Sequence, residues 1–366
     1  MSRNTLIGFV LIGLVLLFWP TYLDIVFPEE KTTPPQEEVL PAKTSSPLQK
    51  KPLKKVLPEN INRGAAVSSE LEETFFEIET SLYSAVVSNK NGGSISSFVV
   101  RDHLKDGEDK IQLIDTINQN NLLVSFINDS GEEIFLEDFW IFDSSLPKKI
   151  SLVQDDDFQK LSFYIEVGGA LAKKSLTFKN NSYSIGVYID IEDLETIILD
   201  NKFKLQWAGG VRLTENSKQE SLFLEGLVSQ NGSIQSYRVG SASLFGGGAS
   251  EISLGSKQYS GNTDFVGYRT KYFGVFFVPQ RTDEVEITKG GSSERPEVGI
   301  STKQEINLRK TTLFFGPLEY EQVSSLGVGL EDKILGWQWL SSISWLVYAT
   351  MVFLYGIVPN LSLIHI

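Results

Sequence analysis

The chain has 366 residues, no cysteine, and 33 Lys and Arg residues against 46 Asp and Glu residues, which gives a net charge of −13. This acidic surplus repels phosphate backbones and argues against a nucleic-acid partner. The lack of cysteine excludes disulfides, zinc–thiolate sites and thiol nucleophiles. These properties suit the soluble part of an exported protein.

Residues 1–27 predict a membrane anchor. Residues 6–18 are apolar apart from two glycines, and Asp24 is the only charge between residues 5 and 27. Such a stretch can span a hydrocarbon core of about 30 Å. A cleaved signal peptide is the alternative, because Arg3 forms a positive amino-terminal region. Bulky residues such as Trp19 and Tyr22 stand where a cleavage site needs small ones, so we favour an uncleaved anchor with a cytoplasmic amino terminus.

Residues 28–63 predict a tether. Seven of the 13 prolines lie between Pro28 and Pro58, among Lys, Glu, Gln, Thr and Ser. A segment of this composition buries too little apolar surface to offset the entropy lost on ordering. We therefore expect a disordered or polyproline-like spacer.

Residues 64–333 predict a β-domain. Apolar and polar residues alternate with a period of two in several runs, most clearly at Tyr183, Ile185, Val187, Ile189 and Ile191. Asn- and Gly-rich turn sequences separate these runs, and no interleaved stretch has a helical period. The fold class predicted is mainly β, a large antiparallel sandwich built from two sheets with long loops.

Few residues in this domain suggest chemistry. His103 is its only histidine, and a lone histidine beside charged residues is typical of a solvated surface. The run Gly246-Gly247-Gly248 lacks the following Lys and Ser/Thr of a phosphate-binding loop. Carboxylate pairs such as those in Asp155-Asp156-Asp157 are typical of a solvated acidic surface, although the sequence leaves chemistry by two carboxylates open, because their spacing in the fold is not encoded in a local pattern. The sequence predicts no catalytic residue, metal ligand or cofactor, and the protein is not expected to be an enzyme.

Residues 334–360 predict a hydrophobic helix, because no Lys, Arg, Asp or Glu follows Lys333 and the one histidine that does, His365, lies beyond residue 360. Hydrophobicity alone allows a second membrane span. Aromatic residues suited to the headgroup zone are frequent, including Trp337, Trp339 and Trp345, and favour a helix lying in the membrane interface.

The residues before this helix suggest a positioning segment. Gly327 and Gly329 can form a tight connection out of the last strand, and Asp332 can cap a helix. Ordinary turn chemistry without a partner is the simpler interpretation of the same three residues.

Several short motifs, in this order, resemble the YidC insertases of Gram-negative inner membranes. They cover nearly the whole chain and contain Gly92 and Gly93; Tyr272, Phe273 and Gly274; Gly316 and Pro317; and Gly336 with Trp337. The resemblance implies a super-sandwich of the galactose-mutarotase type, exposed to the periplasm on an inner-membrane anchor. It also implies a membrane protein insertase or chaperone whose partners are the lipid bilayer, nascent membrane proteins and the Sec translocon.

One departure from the family accompanies these motifs. YidC proteins continue into five membrane helices that form a hydrophilic groove with an arginine, and no basic residue follows Lys333 here. Residues 361–366 do not resemble the family continuation. We therefore expect a fragment, truncated before the groove helices and with an artefactual tail, that cannot insert membrane proteins unaided.

A membrane-anchored protein that binds or modifies carbohydrate is the alternative function, because the same sandwich type houses sugar epimerases. Acid–base chemistry of that kind usually recruits a histidine beside a carboxylate, and the domain offers only His103. The insertase hypothesis is preferred.

Overall fold

The computed structural model describes residues 71–105, 109–114, 121–143, 145–214, 220, 223–239, 252–292, 295–334, 347 and 349–351. The predicted anchor, the tether, His103's side chain, the triple glycine and the tail from 361 lie outside these residues. The described strands are β1 (Phe75–Glu79), β2 (Tyr83–Ser88), β3 (Ser94–Lys105), β4 (Asp109–Gln112), β5 (Leu123–Asn128), β6 (Glu133–Phe135), β7 (Ile141–Phe142), β8 (Lys149–Ser151), β9 (Phe158–Val167), β10 (Ala170–Lys179), β11 (Ser184–Asp190), β12 (Ile198–Trp207), β13 (Glu225–Gln230), β14 (Ser233–Arg238), β15 (Gly255–Ser260), β16 (Thr263–Arg269), β17 (Phe273–Pro279), β18 (Glu284–Gly291), β19 (Pro296–Glu305) and β20 (Lys310–Pro317).

Helical structure is sparse in the described ranges. A 3-10 turn occupies Glu192–Leu194, and two one-turn helices, α1 (Tyr320–Ser324) and α2 (Leu330–Ile334), follow β20. Residues 220, 347 and 349–351 are also helical, and residue 223 has the 3-10 conformation. No helix within the described ranges is long and apolar enough to cross a membrane.

The strands form three sheets. A nine-stranded sheet has the order β14-β13-β16-β17-β20-β11-β10-β9-β7, a six-stranded sheet the order β15-β18-β19-β12-β5-β6, and a five-stranded sheet the order β4-β3-β2-β1-β8. The mainly β, antiparallel prediction is confirmed, with one exception: β1 and β8 pair in parallel. The prediction of two sheets is wrong. Strongly twisted sheets rarely exceed about ten strands without splitting, and the strands opposite the large sheet are divided between two smaller ones.

Alternation along the strands builds the core, as predicted. In β11, Ile185, Val187 and Ile189 are buried while the residues between them are half-exposed. The inner face of the nine-stranded sheet meets both smaller sheets through Phe315. Its ring centroid lies 4.6 Å from that of Phe98 in β3 and 4.9 Å from that of Trp207 in β12. One buried cluster thus joins all three sheets.

The predicted turns lie between paired strands. Asn231 and Gly232 both have positive φ, 50° and 74°, and form the two-residue connection between β13 and β14. This conformation suits the right-handed twist of a hairpin. Asn128 ends β5, and its side-chain oxygen accepts hydrogen bonds from the amides of Ser130 and Glu132.

Candidate functional site

Four of the motif residues lie on the neighbouring strands β17 and β20 at one end of the nine-stranded sheet, and Tyr272 lies in the turn just before β17. Phe273 pairs with Pro317, and Gly274 pairs with Gly316. The Leu318 amide donates a hydrogen bond of 2.7 Å to the carbonyl of Tyr272. The β16–β17 turn therefore lies beside the point where the chain leaves its last strand for α1.

The β16–β17 turn holds an aromatic side chain towards solvent. Thr270 is buried, its amide donates to the Phe273 carbonyl at 2.8 Å, and its hydroxyl accepts from the Phe273 amide at 3.2 Å. Tyr272 is 42% exposed, and the Lys271 ammonium lies 4.5 Å from the centroid of its ring. A phenol beside a cation is amphipathic, so this turn can meet a headgroup region or a polypeptide.

The outer face of the large sheet is apolar next to this turn. A Cβ atom added to Gly274 would lie 2.5 Å from Cε2 of Phe276 and 3.1 Å from Cδ2 of Leu318. The Phe276 ring therefore occupies the space that a side chain at residue 274 would need. Phe276 and Phe314 are both fully buried on this outer face, and their ring centroids are 6.3 Å apart.

Residues 318–334, which we call the helical cap, pack on this outer face. Leu318 contacts the face at Gly274, and Lys333 at the other end of the segment pairs with Glu225 of β13. Val323 of α1 and Leu330 of α2 are buried in the common cluster. The cap thus belongs to the folded domain.

The residues predicted to position a membrane segment lie in the cap. Gly327 and Gly329 have φ of 67° and 74°, values that glycine adopts without strain, and lie between α1 and α2. They do not follow the last strand directly, because α1 intervenes. Asp332 is inside α2 and is not its N-cap. Of the remaining predicted residues, Gly336, Trp337, Trp339 and Trp345 lie outside the described residues.

A largely buried ion cluster connects the cap to the sheet. Glu225 and Arg269 are cross-strand neighbours on β13 and β16. Oε1 of Glu225 accepts hydrogen bonds from Nε of Arg269 at 2.7 Å and Nη2 at 2.6 Å. Oε2 of Glu225 lies 3.9 Å from Nζ of Lys333. Sequence reasoning missed this cluster, since Glu225 and Lys333 are far apart in the chain and neither has a distinctive local pattern.

Gly316 is constrained by Tyr183, which immediately precedes the adjacent strand β11. A Cβ atom there would lie 2.5 Å from Cδ1 and 2.6 Å from Cγ of Tyr183. Tyr183 is buried, and its ring centroid is 5.9 Å from that of Tyr83 in β2. The glycine therefore permits close packing of an aromatic side chain at the end of the sheet.

The Gly92-Gly93 motif lies at a different place, between β2 and β3. Gly92 has φ of 70°, and a Cβ atom on it would lie 2.7 Å from Cδ2 and Cε3 of Trp140. Gly93 has φ of 103°, and a Cβ atom on it would lie 2.8 Å from Phe163 and 2.9 Å from Leu176. The motif residues thus form two sites, and the second is a packing site beneath three bulky side chains.

A buried lysine adjoins that packing site. Lys174 of β10 is fully buried, and its Nζ donates hydrogen bonds to the carbonyls of Asn91, at 2.9 Å, and Leu122. Burial lowers the pKa of its amine to about 7. Sequence reasoning missed it, although the alternation in β10 places it on the same face as Ala172 and Leu176. Neither site contains a cluster of three or more His, Asp or Glu residues able to hold a metal ion, and none occurs elsewhere in the described ranges.

Comparison with known families gives one family match. Residues 76–348 match the model of the YidC periplasmic domain. Three proteins named membrane protein insertase YidC are similar over nearly the whole chain. Those of Chlorobaculum parvum and Prosthecochloris aestuarii are each 26% identical, with 93% of this chain and 58% of the relative covered. That of Chlorobium limicola is 23% identical, with 100% and 63% covered. The chain therefore spans about three fifths of the length of these relatives.

The solved structures that match this chain are distant from it. A galactose mutarotase related enzyme from Lactobacillus acidophilus has a TM-score of 0.37 and 11% identity, over 66% of this chain and 97% of its own. A putative aldose 1-epimerase from Escherichia coli has a TM-score of 0.36 and 8% identity, over 68% and 100%.

Proposed function

The chain belongs to the YidC family, and we propose that it takes part in the insertion and folding of inner-membrane proteins. One observation supports this proposal above the others. The β16–β17 turn, the end of β20 and the helical cap meet at one end of the nine-stranded sheet, immediately before the uncharged run that follows Lys333. In this arrangement the β-domain positions the membrane-facing part of the protein. Its fold, in the proposal, is the super-sandwich of galactose-mutarotase type.

The proposed partners follow from this role. Nascent inner-membrane proteins are the clients, and the lipid bilayer lies beside the cap, where Tyr272 offers an exposed amphipathic ring. The Sec translocon is a further partner in the proposal, on the strength of the family resemblance alone. The protein acts as a chaperone without catalysing covalent chemistry, and a carbohydrate-directed function is not proposed.

The first prediction concerns topology. We expect residues 64–333 to lie in the periplasm, tethered to the inner membrane by residues 1–27. Alkaline phosphatase fused after Gly327 should therefore be active, because this enzyme requires the oxidising periplasm to form its disulfides. A fusion after Asn4, ahead of the hydrophobic stretch, is the control and should be inactive. An inactive fusion after Gly327, or a mature amino terminus just past Phe27, would contradict the arrangement.

The second prediction tests the function itself. Depleting the protein from the bacterium that makes it should delay the insertion of a newly made single-span inner-membrane protein. Insertion is measured by pulse labelling followed by protease digestion of the periplasmic segment in spheroplasts. Supplying the gene again from a plasmid should restore the rate. Unchanged insertion for a panel of such proteins, together with sugar binding by the purified chain, would favour the carbohydrate alternative.

A further inference from the structure

The two carboxylate oxygens of Glu225 have different partners. Oε1 is occupied by Arg269 within the sheet, at 2.6–2.7 Å. Oε2 faces Lys333 of α2, at 3.9 Å. The Glu225 side chain is only 12% exposed, so water screens its interactions less than it does at the surface. One side chain thus joins the strand pair β13–β16 to the last described turn of the cap.

The cap needs such a contact because α2 cannot hold itself in place. A five-residue helix is far below the length at which an isolated helix is stable in water. Gly327 and Gly329 precede it in left-handed conformations, so the connection from α1 provides a turn and little rigidity. Leu330 supplies one buried apolar contact. Val328, just before the helix, also packs against the core. These apolar contacts are not directional, whereas a contact at Lys333, near the carboxyl end of α2, fixes the direction of the helix.

We propose that Glu225 is the positioning residue that fixes the helical cap on the outer face of the large sheet. Its pairing with Lys333 then sets the direction in which the chain leaves the β-domain towards the uncharged run. Arg269 holds the Glu225 carboxylate in place for this contact. The biological role of this contact rests on the proposed function, whereas the contact itself can be tested independently of that function.

Hydrogen–deuterium exchange on the full chain in lipid nanodiscs tests the contact. Lys333→Glu places two carboxylates together. We expect the backbone amides of residues 326–334 to exchange about fivefold faster than in the wild type, which corresponds to the upper end of the free energies that partly exposed ion pairs contribute. Lys333→Gln should have a smaller effect, and Lys333→Arg should retain wild-type exchange. The denaturation midpoint of the β-domain should change little in all three variants.

Lys303→Gln is the matched control. Lys303 is 33% exposed, as Lys333 is, and pairs with Glu284 at 3.5 Å on the six-stranded sheet. It should leave exchange in the cap unchanged. Equal exchange of residues 326–334 in wild type and Lys333→Glu would overturn the proposal, as would an equal acceleration by Lys303→Gln.

The insertion measurement separates this inference from the proposed function. Lys333→Glu, produced in cells depleted of the wild-type protein, should slow client insertion, and Lys333→Arg should restore it. Faster cap exchange with wild-type insertion would overturn the positioning role. A lack of any insertion defect on depleting the whole protein would instead overturn the proposed function, while the exchange result would still decide the contact.

Discussion

Gly92→Ala is expected to destabilise the β-domain by about 3 kcal/mol or more, from two effects that add. The backbone at Gly92 has φ of 70°, which a residue with a Cβ atom adopts only with strain. The new methyl group would also lie 2.7 Å from the indole of Trp140. The Trp140 side chain cannot easily move away from the new methyl group, because it is fully buried and its Nε1 donates a hydrogen bond to the carbonyl of Leu136 at 3.3 Å. Urea denaturation of the purified domain measures the loss.

Gly131→Ala is the matched control for Gly92→Ala. Gly131 has a similar φ of 77°, but no atom lies within 4 Å of a Cβ atom added there. It should therefore show the backbone strain alone, about 1 kcal/mol. Equal losses in the two variants would show that the contact with Trp140 carries no cost and that the interpretation of the packing site is wrong.

Lys174→Met is expected to change the pH dependence of stability. In the folded domain burial lowers the pKa of Lys174 to about 7, whereas in the unfolded chain it has the ordinary lysine value near 10.4. Between these two pKa values the unfolded state binds more protons than the folded state. The free energy of unfolding therefore rises as the pH is raised from 7 towards about 10.4. The stability of the wild type relative to Lys174→Met should therefore increase by on the order of 3 kcal/mol from pH 7 to pH 9.5.

The absolute effect of Lys174→Met should be clearest at high pH. At pH 9.5 the neutral amine of the wild type still donates to the carbonyls of Asn91 and Leu122, which methionine cannot replace. Each buried carbonyl left unpaired costs about 1–3 kcal/mol, so the variant should be less stable there. Denaturant titrations at several pH values measure the difference. Lys173→Met, on the opposite face of β10, is the control for the loss of a lysine from this strand. If the difference in the free energy of unfolding between the wild type and Lys174→Met does not increase with pH, the conclusion that Lys174 is buried as a neutral amine is wrong.

Strand positions and turns were predictable from local sequence. In β11 and β12 the period of two places alternate side chains on opposite sides, and the buried residues Val187, Phe203 and Leu205 are those that the alternation indicated. Asn-Gly pairs marked turns because these residues tolerate positive φ, as at Asn231. Each of these properties depends on residues adjacent in the chain.

The partners of those strands were not predictable in the same way. Several features of the sheets are visible only in the folded structure. They include the pairing of β17 with β20, the parallel pairing of β1 with β8, and the division of the remaining strands into two smaller sheets. A period of two shows which side of a strand is buried without showing what covers it. For this reason the outer face carrying Phe276 and Phe314 was not recognised as the surface under the helical cap.

The sequence by itself determined that this is a β-protein with hydrophobic segments near both ends, and its motifs pointed to the family. Composition and periodicity depend only on residues that are near one another in the chain, so they can be read without knowing the fold. Only the tertiary structure decided that Lys174 is buried against two carbonyls and that Glu225 lies between Arg269 and Lys333. Desolvation and ion pairing depend on atoms that are distant in the sequence and lie within a few ångströms of one another in the fold. A local sequence pattern therefore does not predict them.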